Sequence, residues 1–350
     1  MPTASADTPC FSIVIPVLNE ALVLPALLAR IDGLLDSLDG TSEVIFIDDG
    51  STDATPEMLS ARVRADPRYR YVQLSRNFGH QAAISAGVDL AEGQAVIIMD
   101  ADLQDPPEVV LELVAKWRQG FQIVYAQRAA RRGESRFKRW TAHLFYSGLR
   151  RITSVDIPHN VGDFRLVDRR VIQAFRSMRE RDRFVRGMFG WLGFRQTAVP
   201  FERQGRAAGQ TKYPLLKMVR LAMNGIVSFS DAPLQLALWM GFAVSVGALL
   251  YGVYVIASAL TGGHGLVAGW ASTIVVVSFL CGLNMMLTGV VGLYVGRIHA
   301  EVKGRPLYVV NEQAGFDPVA RAEPEPAADP FGLPDALVDQ RRRLAQFAAR

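Results

Sequence analysis

Residues 44–53 read Val-Ile-Phe-Ile-Asp-Asp-Gly-Ser-Thr-Asp, a short apolar and β-rich run that stops on acids and turn formers. The same grammar recurs in FSIVIPVLNE (residues 11–20) and AVIIMDADLQD (residues 95–105). Unbroken apolar runs this short suit strands buried on both faces. Strands are expected at 11–17, 44–48, 69–74, 95–99 and 122–126. Helical patterns fill the gaps at 22–38, 55–65, 81–91 and 107–119, the last with Pro near its start. This alternation predicts an α/β fold with a doubly wound, mostly parallel sheet.

Open sheets of this kind bind ligands beyond the carboxyl ends of their strands. Three acidic features fall there: Asn19-Glu20, Asp48-Asp49 with Asp53, and Asp100, Asp102 and Asp105. Carboxylates crowded at one edge repel unless a cation or a donor-rich ligand joins them. A nucleotide diphosphate with Mg²⁺ or Mn²⁺ supplies both, since hard cations are shared between one or two carboxylates and phosphates. Taken singly, each piece is ordinary. Asp-Gly-Ser-Thr-Asp also makes a turn and helix cap, and Asp105-Pro106-Pro107 can merely start a helix. Their combination, order and common edge carry the reading.

The chain has 350 residues, and no Asp, Glu, Lys or Arg lies between Asp231 and Arg297. Within that gap, residues 234–260 and 271–296 each exceed the roughly 20 needed to cross a bilayer as a helix. Lys217 and Arg220 precede the pair, while Arg297, Lys303 and Arg305 follow it, so both ends are expected on the cytoplasmic side. A buried helical hairpin in a soluble core is the alternative. Residues 137–152 and 213–229 alternate apolar and basic residues at helical spacing. They read either as surface helices or as helices at headgroup level. The net charge of +4 gives little reason to expect nucleic acid as a partner. Cys10 and Cys281 allow no disulfide framework and no Cys metal site. Residues 1–10 show no signal-peptide pattern, and the Ala-, Pro- and charge-rich stretch after Asn311 reads as a mobile tail.

In combination, IPVLNE (15–20), IDDGSTD (47–53), LSRNFGHQAA (74–83), MDADLQDPPE (99–108), GDFRLVDR (162–169) and GQTKY (209–213) resemble the inverting glycosyltransferases of family 2 with the GT-A fold. Among these the chain is similar to the polyprenyl-phosphate sugar transferases, the dolichyl-phosphate mannose synthase group and its bacterial relatives. The resemblance implies a nucleotide-sugar donor, with UDP-glucose as default, and a polyprenyl phosphate acceptor. It assigns Pro16, Glu20 and Asp49 to the nucleotide, and Asp100, Asp102 and Gln104 to the metal and diphosphate. Asp48 is a weaker nucleotide candidate, and Asp100 also faces the nucleotide. It further implies a bacterial inner-membrane protein and a homo-oligomer, a tetramer.

Arginine forks and lysine ammonium groups suit phosphate recognition. Arg128, Arg139, Arg206 and Lys212 are the candidates for the acceptor phosphate, and the resemblance favours Arg128, Arg139 and Lys212. Asp163 occupies the position assigned to a base in related enzymes, yet it could equally orient Arg165 or the sugar. A phosphate monoester needs little help from a base, because its second pKa of about 6 leaves it largely ionised. Expected organisation is a flexible start (1–10), a catalytic domain (11–212), an interfacial helix (213–230), the two spans, and a cytoplasmic tail (297–350). Two rival readings remain: a processive polysaccharide synthase, disfavoured by the lack of a Q-x-x-R-W motif, and a catalytically silent nucleotide-sugar binding protein.

Overall fold

The structure, a computed structural model, describes residues 9–128, 161–181, 183–202, 232–260 and 270–316. The described residues up to Ala314 belong to one compact unit. Strands β1 (Phe11–Val17), β2 (Ser42–Asp48), β3 (Tyr69–Leu74), β4 (Ala95–Ile98) and β5 (Ile123–Arg128) lie within a residue or two of their expected places. So do helices α1 (Leu24–Ser37), α2 (Thr55–Ala65), α3 (His80–Leu90) and α4 (Val109–Arg118). Beyond these come β6 (Val161–Asp168), α5 (Arg169–Ser177), α6 (Val185–Trp191) and β7 (Gln196–Phe201). The long helices α7 (Ala232–Leu260) and α8 (Trp270–Val302) follow, and β8 (Val310–Ala314) closes the series.

One sheet runs β7-β5-β6-β4-β1-β2-β3-β8. Pairings β4–β1–β2–β3 are parallel, as is β5–β7, while β6 runs against both β4 and β5. The mostly parallel sheet is therefore as expected. Alternate residues of the central strands (Ile13, Ile15, Phe46, Ile97) join Leu24, Leu27 and Ile31 of α1 and Leu113 of α4 in one core. Each such side chain, fully buried, contributes about 1.5–3 kcal/mol. On the other face α3 lies so close that a Cβ on Gly87 would stand 2.2 Å from Val14 Cγ1. Only glycine permits that approach.

The antiparallel β6 decides where the site forms. Its register sets Ile98 opposite Arg165, so its first residues, Val161 to Asp163, lie beyond the carboxyl end of β4. Cations finish the far end of α3: Arg176 and Arg169 donate to the carbonyls of Val88 and Ala91, where the helix dipole is negative.

Two expectations need correction. The second apolar helix does not stop at 296 but continues through Arg297 to Val302. The segment read as the start of a tail is instead β8, which pairs antiparallel with β3. Its polar sequence, VNEQA, hid it. An edge strand with exposed residues carries no apolar run to signal it. Among the described residues, Phe279–Val302 is long and apolar enough to cross a membrane by length and composition, and Ala237–Tyr251 is a shorter apolar stretch. Large apolar side chains along both helices, including Leu238, Trp239, Phe279 and Met285, are exposed. Both amphipathic stretches, together with Arg139, Arg206 and Lys212, lie outside the described residues.

Candidate active site

The ends of β1 and β2 are laced together by side chains that the sequence places there. Asn19 adopts a left-handed φ of 56°, a conformation that asparagine tolerates better than most residues. Its Oδ1 accepts the amide of Thr52 at 2.8 Å, and its own amide donates to Ser51 Oγ at 2.9 Å. The amide of Glu20 donates to Thr55 Oγ1 at 3.0 Å. Pro16 is buried opposite Ile47. It lacks a donor, and the β1–β4 pairing has already ended at Val14, so no ladder bond to β4 is lost.

Asp48 and Asp49 do different work. Asp48 is fully buried, accepting the Ser51 amide at 2.8 Å and the Tyr71 hydroxyl at 3.2 Å. Both its oxygens thus brace the turn. Asp49 reaches across to the loop before α3, where Oδ1 accepts the Phe78 amide at 2.7 Å and Oδ2 the Gly79 amide at 2.9 Å. Burial pushes its carboxyl up, and these two amides act against that push. Between β2 and that loop the backbones nearly touch: a Cβ on Gly50, whose φ is +81°, would stand 2.9 Å from Arg76 C and Asn77 N.

The loop so anchored delivers His80 to the centre of the site. Its Nε2 lies 3.3 Å from Asp163 Oδ2 and 3.4 Å from Asp100 Oδ1. Burial alone would lower the imidazole, but the two carboxylates outweigh it and raise its pKa. Asp100 Oδ1 is buried without a hydrogen-bond donor, and burial raises its carboxyl. Asp102 Oδ1 accepts the amide of Gln104 at 3.1 Å across Leu103, which has a φ of 57°. Gln104 and Asp105 are buried behind this turn.

Asp163, only 3% exposed, closes the cluster. Arg186 of α6 grips it with two parallel bonds, Nε to Oδ1 at 2.8 Å and Nη2 to Oδ2 at 3.0 Å. Burial would raise this carboxyl, yet the bonds from His80 and Arg186 hold it far below the usual carboxylate range. Arg165 stands 4.0 Å from Oδ1 and donates to the carbonyls of Gly162 and Asp163. Burial pushes its guanidinium down to about 10, so it remains charged at neutral pH. Arg128 lies against the same strand, since a Cβ on Gly162 would stand 2.9 Å from its Nη2.

The fold therefore gathers Asp100 and Asp163 around His80, with Asp102 and Gln104 on the Asp100 turn and Arg128 beside Gly162. It keeps Asp48 beneath as a support. His80 and Arg186 were not singled out from sequence. His80 sits inside the LSRNFGHQAA motif, a signal that was available; Arg186 has no local signal and arrives only through packing of α6. Among the described residues no group of three or more His, Cys, Asp or Glu is arranged to hold a metal by itself. Asp100, with an oxygen lacking a donor, and Asp102 fit a hard cation that takes its remaining ligands from a bound molecule.

The sequence profile of Glycosyl transferase family 2 matches residues 12–176. The uncharacterized glycosyltransferase YkcC of Bacillus subtilis is 44% identical over 307 residues, 88% of this chain and 95% of that protein. The SfII prophage-derived bactoprenol glucosyl transferase of Shigella flexneri is 38% identical over 307 residues, 88% of this chain and 99% of its own. Among solved structures, glucosyl-3-phosphoglycerate synthase from Mycobacterium tuberculosis is 21% identical, with a TM-score of 0.43 over 63% of this chain and 79% of that one. With relatives this similar over nearly their whole length, and with acids gathered at the carboxyl edge of a GT-A sheet, the chain belongs to glycosyl transferase family 2.

Proposed function

We propose that the protein transfers a sugar from a nucleotide-sugar, UDP-glucose by default, to a polyprenyl phosphate such as undecaprenyl phosphate, inverting the anomeric carbon. The observation that carries this reading is the extent of the likeness to the bactoprenol glucosyl transferase. A match of 307 residues is too long to leave out both apolar helices, which are 29 and 33 residues long. The likeness thus reaches beyond the sugar-nucleotide domain.

In this reading Pro16, Glu20 and Asp49 meet the nucleotide, and Asp100, Asp102 and Gln104 face the metal and diphosphate. A bound Mg²⁺ or Mn²⁺ would neutralise charge on the departing nucleoside diphosphate. Arg128, with Arg139, Arg206 and Lys212, takes the acceptor phosphate. An acceptor phosphate oxygen bonds to the anomeric carbon from the face opposite the diphosphate. The bond to the diphosphate breaks, and its electron pair leaves with the nucleoside diphosphate. The ionised phosphate has no proton to give up. Asp163 acts as an orienter: a carboxyl held so far below its usual range is a poor proton acceptor. It fixes His80 and Arg186 at the rim where sugar and acceptor meet.

The helices α7 and α8 cross a bacterial inner membrane as a hairpin, with the catalytic domain on the cytoplasmic side. Their exposed apolar surface supports this, because such patches need lipid or a partner to cover them. The interfacial helix at 213–230 and a homotetrameric assembly complete the proposal. Purified full-length protein with undecaprenyl phosphate, a panel of nucleotide-sugars and Mn²⁺ or Mg²⁺ tests it. A glycosylated lipid of the expected mass and inverted configuration is the predicted product; transfer only to a growing polysaccharide, or none to any acceptor, would overturn it.

A further inference from the structure

The two groups that grip Asp163 come from different helices, and their neighbours in the chain are bonded to each other. His80 opens α3 and reaches Asp163 Oδ2 at 3.3 Å. Arg186 stands second in α6 and reaches the same oxygen at 3.0 Å. Beside His80 is Gln81, and beside Arg186 is Val185. The Val185 amide donates to Gln81 Oε1 at 2.9 Å.

That bond answers a need of α6. The first amides of a helix have no partner within it, and a polar side chain just ahead usually accepts one of them. Phe184 stands there in this chain and offers no acceptor. Gln81, 104 positions away, supplies one. One turn further along α3, Ser85 Oγ donates to the Gln81 carbonyl at 2.7 Å and accepts Arg183 Nη1 at 3.0 Å. Residues four apart share a helix face, so two bonds fasten one face of α3 to residues 183–185. Only the bond from Gln81 lies next to the site residues in both partners.

We infer that Gln81 is a positioning residue for sugar transfer: its bond to the first amide of α6 sets the spacing of His80 and Arg186, and with it the seat of Asp163. This deepens the transfer reaction proposed above and rests on it. Gln81 touches neither Asp163 nor the reacting atoms in this role; it acts through the two residues that do the gripping.

The test compares Gln81→Met, Gln81→Glu and Ser85→Ala with the parent, each as full-length protein in lipid nanodiscs. Methionine keeps the length of glutamine and removes the acceptor. Glutamate keeps an acceptor, and its charge suits the first turn of a helix. Gln81→Met is expected to lower kcat about ten- to a hundredfold, as a misplacement of about 1 Å would, with each KM within about twofold of the parent. Gln81→Glu should recover most of that loss. Ser85→Ala takes the hydroxyl from Arg183, so it should lower the melting temperature as Gln81→Met does, while kcat holds. In an Asp163→Ala background there is nothing left to grip, and Gln81→Met should then lower kcat no further.

A second readout needs no turnover. With isotope-labelled histidine, the His80 ring signal, identified by its loss in His80→Ala, should move in Gln81→Met and stay in Ser85→Ala. Equal kcat losses in Gln81→Met and Ser85→Ala would reduce Gln81 to a structural bond and overturn the inference. So would losses that multiply in the Asp163→Ala background, or a His80 signal that Gln81→Met leaves in place. Absence of transfer by the parent would count against the proposed reaction itself; the His80 signal would still decide whether Gln81 sets the ring.

Discussion

Arg186 binds both carboxylate oxygens of Asp163, at 2.8 and 3.0 Å, and thereby ties α6 to the first residues of β6. Such a fork fixes direction as well as charge. In the proposed reaction this fork suits Asp163 to holding other groups in place.

That role predicts non-additive losses. Asp163→Asn and Arg186→Ala should each lower kcat by about ten- to a hundredfold, and the double variant should be little worse than the weaker single one. Steady-state transfer to the lipid measures it. Independent, multiplying losses would mean that the two residues act separately.

The same pair makes a prediction about acid. The Asp163 carboxyl is held far below its unfolded value of about 3.9. Its stabilising contribution is therefore full above that pH and is lost as the pH falls through it toward the depressed native value. Asn at this position does not titrate. Asp163→Asn should be less stable than the parent at neutral pH, by about 3 kcal/mol for a broken buried pair. The gap should narrow below pH 4 in denaturant titrations. Parallel curves down to pH 2 would remove Asp163 from the acid response.

Much of this was readable from the chain because buried parallel strands announce themselves. Ile13 to Ile15 and Val44 to Ile47 are uninterrupted apolar runs; Asp48 follows the second directly, and Glu20 closes the segment after the first. What stayed hidden was long-range or polar. His80 meets a carboxylate 83 positions away, and Arg186 reaches Asp163 only because α6 packs beside β6. Neither has a periodic signal. Asp48 and Asp49 looked alike in sequence; their different partners, Tyr71 and the loop amides, separate a brace from a loop anchor.

Gly50 gives a test of the loop that Asp49 anchors. Alanine there meets both a positive φ and the backbone of Arg76 and Asn77 at 2.9 Å. Backbone cannot yield as a flexible side chain would, so Gly50→Ala should cost about 1–3 kcal/mol from the strained φ alone. The displaced loop carries His80, so kcat should fall beyond what instability explains. Thermal melting and transfer assays on one preparation separate the two effects.

The antiparallel strand β8 predicts where the chain can be shortened. Removing residues 317–350 leaves Val310–Ala314 on the edge of β3. Removing residues from 310 onward exposes that edge, and an unpaired edge invites aggregation. The shorter cut should preserve melting temperature and solubility, while the longer one lowers both. Equal behaviour of the two would mean that β8 contributes nothing to the sheet's stability.

Asp102 provides the sharpest separation between an enzyme and a silent binding protein. Its carboxylate turns back onto the Gln104 amide at 3.1 Å, so Asp102→Ala removes a turn bond as well as a charge. Asp102→Asn keeps the turn bond and removes only the charge. If the carboxylate serves a divalent ion, both variants should lose about a hundredfold or more in transfer. Chelation of the parent protein should do the same, and Mn²⁺ or Mg²⁺ should restore the parent alone. Calorimetric titration of Mn²⁺ in the presence of nucleoside diphosphate should show weakened binding in Asp102→Asn, independent of turnover. Full metal-dependent transfer by Asp102→Ala would rule out this role, because the remaining carboxylate, Asp100, would then suffice without its partner.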